Sequence, residues 1–278
     1  MVASFDTLDH AHLRELVKRR VRDGVLLRLI GKWLNAGVME SGQISYPEAG
    51  SPQGGVISPL LANVYLHYVL DTWFCQEVQP RLKGKAYLVR YADDFVIGFT
   101  EETDARRVME VLPKRLGRYG LKIHPEKTRL VRFERPPKRD DDSHGKPESF
   151  DLLGFTHYWG RSRQGNWVVK RKTSRKRLSR ALRAINEWCR GHRHRLLAEQ
   201  QNTLSQKIRG HCAYYGITGN ALSLTRYRQW VVRLWRKWLG RRNRERTMTW
   251  ERFERLLARY PLPQAIAIYS TYRPAANP

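Results

Sequence analysis

A chain of 278 residues with 41% apolar side chains can bury a core and hold two domain-sized units, which sets aside a disordered protein. Its formal net charge of +26 recruits polyanions before any other partner, so nucleic acid comes first. That charge is split unevenly, +4 over residues 1–150 and +22 over residues 151–278, a weakly charged body followed by a polycationic module.

In chain order, Asp9 can cap a short helix carrying Leu13 and Leu16, and Val25, Leu26, Ile30, Trp33 and Leu34 then recur at helical spacing. Residues 41–55 are punctuated by Gly, Ser and Pro and read as an extended segment entering a loop. Ser58 looks like an N-cap with Pro59 at the first helical position, followed by a face of Leu61, Val64, Tyr65, Tyr68, Val69 and Trp73. Between Leu88 and Phe99 two apolar β-type runs flank a short acidic centre, the pattern of a hairpin. A helix is expected over 103–119, interrupted in its regularity by Pro113 and ended by Gly120, with Leu121-Lys122-Ile123 opening another strand.

The stretch 136–149, with paired prolines nearby, three consecutive aspartates and little that is apolar, reads as a linker. Short strands are expected over 150–155 and 167–169. Three amphipathic helices follow: Leu178, Ala181, Leu182, Ile185, Trp188 and Cys189 stripe the first, Leu204, Ile208, Cys212 and Tyr215 the second. Tyr227, Trp230, Val231, Leu234, Trp235 and Trp238 stripe the third. Seven of the nine tryptophans lie in this half, mostly on those stripes, so core packing is expected of them rather than base stacking. The fold class is therefore α+β, a mixed sheet region followed by an all-helical domain.

Cys75, Cys189 and Cys212 are odd in number and form no C-x-x-C, which argues against a disulfide framework or a zinc site. Met1 is not followed by a signal-peptide pattern and no apolar run nears ~18 residues. A soluble cytoplasmic protein with no membrane partner is the expectation.

Asp93 and Asp94 are adjacent carboxylates between apolar strands. Either they form a solvated turn, or a divalent cation resolves their mutual repulsion, as Mg²⁺ does when it is held by one or two carboxylates plus substrate phosphates. The neighbouring residues bear on the choice. Tyr91-Ala92-Asp93-Asp94 resembles the catalytic signature of reverse transcriptases. Ser51-Pro52-Gln53-Gly54-Gly55-Val56-Ile57-Ser58-Pro59-Leu60-Leu61-Ala62-Asn63 resembles that family's Pro-Gln-Gly loop and helix. Gly120-Leu121-Lys122-Ile123 with Glu126-Lys127-Thr128 resembles the next palm motif, and Phe150-Asp151-Leu152-Leu153-Gly154-Phe155 the primer grip. Leu204 to Tyr215, with Ile208-Arg209-Gly210 and Ala213-Tyr214-Tyr215, is similar to the maturase-specific thumb of group II intron proteins.

That resemblance implies a partial reverse-transcriptase palm over 1–135, the linker at 136–149, primer-grip strands over 150–170, a helical maturase (thumb) domain over 171–260 and a tail over 261–278. It implies an RNA-directed DNA polymerase that also assists intron splicing, with Asp93 and Asp94 on Mg²⁺. Lys127 would sit near the departing pyrophosphate as charge stabiliser or proton donor, or else be a plain surface lysine. Gln53 and Gly54 would approach the template and incoming dNTP, and Leu153, Gly154 and Phe155 would hold the primer DNA end. Phe5 matches the ring that discriminates against the ribose 2′-hydroxyl. In the family the first metal-binding aspartate lies five residues before this phenylalanine, which puts it upstream of Met1. The 278 residues alone are therefore expected to be inactive in polymerisation. The alternative is an RNA-binding splicing cofactor. A palm sheet without its first strand leaves an edge that a separate N-terminal fragment or a second copy could cover.

Two cationic clusters are candidates for structured intron RNA: Arg171, Lys172, Arg175, Lys176, Arg177 and Arg180, then Arg233, Arg236, Lys237, Arg241 and Arg242, with Arg244 and Arg246 beyond.

Overall fold

The computed structural model describes residues 10–34, 38–40, 43–45, 57–137, 147–242 and 248–269. It divides into two units, Met1–Leu130 and Val131–Pro278, and it is α+β: among the described residues, helices with three small antiparallel sheets.

In the first unit, α1 (His10–Lys18) buries Leu13, Leu16 and Val17, one face at i, i+3, i+4. The Asp9 cap lies outside the described residues. In α2 (Gly24–Leu34) the cap is Asp23, whose Oδ1 accepts the amides of Val25 at 2.7 Å and Leu26 at 3.0 Å. Ile30 and Leu34 of its expected stripe are buried, whereas Val25, Leu26 and Trp33 are exposed. Strands β1 (Val38–Glu40) and β2 (Gln43–Ser45) pair antiparallel.

Helix α3 (Ser58–Leu66) begins one residue earlier than expected. Ile57 holds the cap position with near-helical backbone, and Ser58 is a buried first-turn residue. Pro59 is tolerated there because the first-turn amides have no intrahelical acceptor to lose. The helix continues as widened π-type turns, His67–Thr72 and Phe74–Val78, and closes in a 3-10 turn, Gln79–Arg81. Its buried residues come in pairs four apart: Leu61/Ala62, Tyr65/Leu66, Val69/Leu70 and Trp73/Phe74. A 3.6-residue helix would rotate such pairs steadily off the core, and the wider turns hold them on it.

Strands β3 (Ala86–Tyr91) and β4 (Asp94–Phe99) pair antiparallel, from Ala86 opposite Phe99 to Tyr91 opposite Asp94. Alternation sends Ala86, Leu88, Phe95, Ile97 and Phe99 toward the core and leaves Tyr87, Val89 and Tyr91 exposed. Helix α4 (Glu102–Gly117) runs unbroken through Pro113. Its buried Asp104 accepts the amides of Lys83 and Gly84 at 2.8 and 2.9 Å, anchoring the approach to β3. Gly120, at φ 70°, ends α4 in a Schellman turn, with Leu121 N–H donating to Leu116 O and Gly120 N–H to Gly117 O. Leu121 and Leu116 are both buried beside that turn. The strand expected from Leu121 is reduced to a single bridge residue, Lys122, among the described residues; the C-cap directs Leu121 into the core before any ladder forms.

In the second unit, β5 (Phe150–Leu152), β6 (Phe155–Arg161) and β7 (Trp167–Thr173) make an antiparallel meander. Leu153 and Gly154 join β5 to β6 with φ of 50° and 80°, a two-residue turn in which both positions are left-handed. Helices α5 (Arg175–Gly191), α6 (Leu197–Tyr215) and α7 (Ala221–Leu239) pack around Ile185, Cys189, Leu204, Ile208, Cys212, Val231 and Trp235. A fourth helix that the apolar stripes had not revealed, α8 (Trp250–Arg259), buries Phe253 completely and is capped by Thr249, whose side chain accepts from Arg252 N–H. The Thr cap and the 3,4 spacing of Phe253, Leu256 and Leu257 were the available signal. Asn220 ties sheet to helices: its Oδ1 accepts from Thr173 N–H, and its Nδ2 donates to Thr173 Oγ1 and Tyr215 O, all within 2.9 Å.

Gly154 meets two demands. Its φ is 80°, and a Cβ there would lie 2.9 Å from the Tyr215 hydroxyl; Gly165 has φ 78° with open space around it. Gly165→Ala should therefore cost about 1 kcal/mol from backbone strain alone, and Gly154→Ala about 2–3 kcal/mol. Urea unfolding of both variants in the full chain measures the difference; equal losses would mean that Tyr215 does not press on the turn.

Candidate functional site

The Tyr91-Ala92-Asp93-Asp94 segment is the end of the β3–β4 ladder. Tyr91 and Asp94 are the last paired residues, and Ala92 and Asp93 form the turn between them. Asp93 is half-buried and Asp94 exposed. Among the described residues neither carboxylate has a hydrogen-bond or ion-pair partner, so two adjacent anionic oxygen donors stand at the hairpin tip. Ala92 has φ 51°, a left-handed conformation that costs an alanine about 1–2 kcal/mol.

The inward face of the hairpin carries one charge beneath that tip. Arg90 donates from Nε and Nη2 to both oxygens of Asp71, at 2.7 and 2.6 Å, and from Nη1 to Asn63 Oδ1 at 2.9 Å and Ala92 O at 2.8 Å. Sequence reading passed over Arg90, Asp71 and Asn63, because an arginine inside a strand reads as a solvent-facing residue unless its partner 19 residues upstream is known. Lys127 is exposed in the turn at 125–127, and among the described residues its side chain bonds to neither aspartate. Phe5, Gln53 and Gly54 lie outside the described residues.

In the second unit the Leu153–Gly154 turn is clasped by the end of α6. The Tyr214 hydroxyl donates to Leu153 O at 3.1 Å, and Phe155 stacks on Tyr214 at 6.0 Å and meets Tyr215 edge-on at 5.2 Å. Two segments singled out separately in the sequence, Leu153-Gly154-Phe155 and Tyr214-Tyr215, thus form one site. Burial raises the Tyr215 phenol above its ordinary range, against the opposing pull of Arg177 and Arg180.

Arg175, Lys176 and Arg177 occupy the first turn of α5, with Arg180 one turn on, and all four are exposed. Cations at a helix N-terminus oppose the helix dipole, at about 0.3–1 kcal/mol each, and concentrate positive potential where anions are already favoured. Lys172 is exposed over the Tyr158 ring at 4.7 Å, and Arg171 is half-buried opposite His157. On α7, Arg233 lies over exposed Trp230 at 5.4 Å and Lys237 over buried Trp238, which Arg241, just past the helix end, also covers. Arg236 and Arg242 are turned inward. Arg236 donates to Met248 O at 2.7 Å and stacks on Trp250 at 4.1 Å, while Arg242 donates to the carbonyls of Arg193 and Arg195. Of the seven tryptophans in this half, Trp235 and Trp238 are core, and Trp230 and Trp250 are exposed with guanidinium groups against their rings.

Comparison with known proteins places the chain in a family. The sequence profile of the reverse transcriptase (RNA-dependent DNA polymerase) family matches residues 2–157, more than half of the chain, and the chain belongs to that family. Within it the similar proteins include intron-encoded ones. The group II intron-encoded protein LtrA of Lactococcus lactis is 46% identical over 63 residues, 23% of this chain and 10% of LtrA. A putative COX1/OXI3 intron 1 protein of Saccharomyces cerevisiae is 26% identical over 183 residues, 49% of this chain and 22% of its own length. Protein YkfC of Escherichia coli is 31% identical over 159 residues, 45% of this chain and 40% of YkfC. The chain thus spans at most two-fifths of these relatives. Among the described residues no helix is long and apolar enough to cross a membrane.

His211 lies behind Tyr215, its ring 4.6 Å from that phenol and stacked on Tyr227 at 3.8 Å. Burial lowers its pKa from 6.5 to about 4, and its Nε2 has no partner among the described residues. The unfolded chain therefore takes up a proton near pH 6.5 that the folded chain refuses until about pH 4, and stability falls as pH drops through that window. The melting temperature of the full chain should decline from pH 7 to 4, and His211→Phe, which keeps the stack, should flatten the decline. His157, also lowered by burial, accounts for part of what remains. An unchanged slope would refute the assignment.

Proposed function

We propose that these residues form the palm and thumb parts of a group II intron reverse transcriptase/maturase, acting on RNA template, primer DNA and dNTPs in the cytoplasm. The observation that carries the reading is the turn Tyr91-Ala92-Asp93-Asp94, with two unpartnered carboxylates at the tip of an antiparallel hairpin, inside the segment matched to the family. Hard cations such as Mg²⁺ take one or two carboxylates and complete their shell with water and substrate phosphates, which suits a pair rather than a full cage. Among the described residues no group of three or more His, Cys, Asp or Glu could hold a metal. Bound there, Mg²⁺ would stabilise the charge of phosphoryl transfer. Asp93 and Asp94 would hold it, Lys127 would face the departing pyrophosphate, and Leu153, Gly154 and Phe155, braced by Tyr214, would hold the primer end. Phe5, Gln53 and Gly54 would contact the nucleotide and template.

The polypeptide of these 278 residues carries matches to two of the family's three metal-binding aspartates. Losing one ligand of a two-metal site lowers rate by orders of magnitude. RNA-templated primer extension by the purified polypeptide should therefore stay at background. Robust synthesis that Asp93→Asn abolishes would overturn that expectation and leave the polymerase assignment standing.

A second reading, an RNA-binding splicing cofactor, is favoured by one observation: +22 of the charge lies in residues 151–278, with Arg175, Lys176, Arg177, Arg180, Arg233, Lys237 and Arg241 exposed. Contacts with six or more phosphates predict that affinity for a structured intron RNA falls by about 10³-fold or more between ~50 and ~200 mM salt. Filter binding across that range tests it, with Asp93→Asn expected to bind as tightly as the parent. Salt-independent binding would exclude the phosphate-based interface.

A further inference from the structure

We propose that Arg90 is a positioning residue that sets the geometry of the Asp93–Asp94 turn, with Asp71 and Asn63 as its anchors. The inference deepens the proposed function and rests on it for the role of the turn, but not for the contacts.

The turn needs holding. Ala92 sits at φ 51° without a glycine's freedom or the local side-chain hydrogen bond that lets Asn or Asp adopt that region. Such a conformation persists only where surroundings over-determine it. The peptide that follows Ala92 carries the amide of Asp93, so the direction of Ala92 O fixes the plane from which the first carboxylate springs. Arg90 Nη1 donates to that oxygen at 2.8 Å.

The guanidinium is itself immobilised. Its side chain is 12% exposed, and its bidentate pair with Asp71 anchors it to the π-type turns that follow α3. Asn63, on α3, accepts from Nη1 and donates its own amide to Pro59 O at 3.1 Å, so both ends of the amide are assigned. Four hydrogen bonds from one planar group to four oxygens on three residues cannot be reproduced by an ammonium, which lacks the fork. The segment Ser58-Pro59-Leu60-Leu61-Ala62-Asn63 and the segment Tyr91-Ala92-Asp93-Asp94 are thereby one mechanical unit. His67, 3.6 Å from Asp71, is the other titratable group against the pair.

The test uses the 278-residue chain with Mn²⁺ as the probe metal. In Arg90→Lys and Asp71→Asn, hydrogen–deuterium exchange of the peptide spanning residues 88–96 should quicken at least tenfold, while the melting temperature of the chain moves by only a few degrees. Mn²⁺ affinity, read by water-proton relaxation, should weaken about tenfold in both variants and vanish in Asp93→Asn. Turn exchange unchanged in both variants overturns the positioning role, whatever the metal does. Faster exchange with Mn²⁺ binding indifferent to Asp93→Asn upholds the positioning role and instead refutes the metal site of the proposed function. Arg90→Lys restoring parental exchange and affinity would reduce Arg90 to a simple counter-charge and overturn the inference.

Discussion

A peptide backbone at positive φ without glycine is held in place or it relaxes, and both segments proposed to carry function here are built on that constraint. Ala92 lies at 51° at the tip of β3–β4, and Leu153 at 50° beside Gly154 at 80° joins β5 to β6. Each turn has a carbonyl held by a side chain: Ala92 O by Arg90 of the same hairpin, which is braced on Asp71 and Asn63, and Leu153 O by the Tyr214 hydroxyl from the end of α6. A hairpin alone is marginal in water. Polar anchors of this kind, added to the apolar underside of each hairpin, convert a loose turn into a fixed one. Each anchor contributes about 1 kcal/mol net, which is of the order of the strain it opposes.

The helical region of the second unit depends on polar contacts of a different kind. Gln200, 1% exposed, accepts from Trp235 Nε1 and donates to the carbonyls of Arg193 and Arg195, the same two carbonyls that Arg242 reaches. The α5–α6 connection would otherwise leave those carbonyls without intrahelical partners. Two of the cationic residues that stand out in the sequence therefore hold structure: Arg242 gathers this connection, and Arg236 joins α7 to the start of α8. Of the two candidate clusters, the described cations left outward include those at the α5 N-terminus and along α7. A fold that places three cations in the first turn of a helix accepts unfavourable electrostatics in the free protein. Bound phosphates would relieve that repulsion.

Periodicity made the helices and the hairpin legible, since Leu13/Leu16, the α5–α7 stripes and the Leu88–Phe99 run alternate as their elements require. Part of what escaped detection depends on partners distant in sequence. Arg90 looked like surface charge because Asp71 and Asn63 precede it by 19 and 27 residues. Trp230 looked like core because it lies beside the apolar stripe of α7, yet it is 47% exposed. Leu70 and Phe74 fell off a 3.6-residue stripe because the chain widens into π-type turns that local pattern does not specify. The Leu121 strand was lost to a glycine C-cap whose apolar contact, Leu116 with Leu121, is itself a sequence signal.

Asn63 shows how the two kinds of information meet. By sequence it closes a motif recognised through resemblance, with no role assigned to it. By structure its amide is polarised between Pro59 O and Arg90, so an isosteric leucine would fill its volume but leave one guanidinium donor without its acceptor. A residue whose value lies in orientation rather than bulk tolerates few substitutes. Such a residue marks the point where α3 stops being packing for the hairpin and becomes part of the device that aims it.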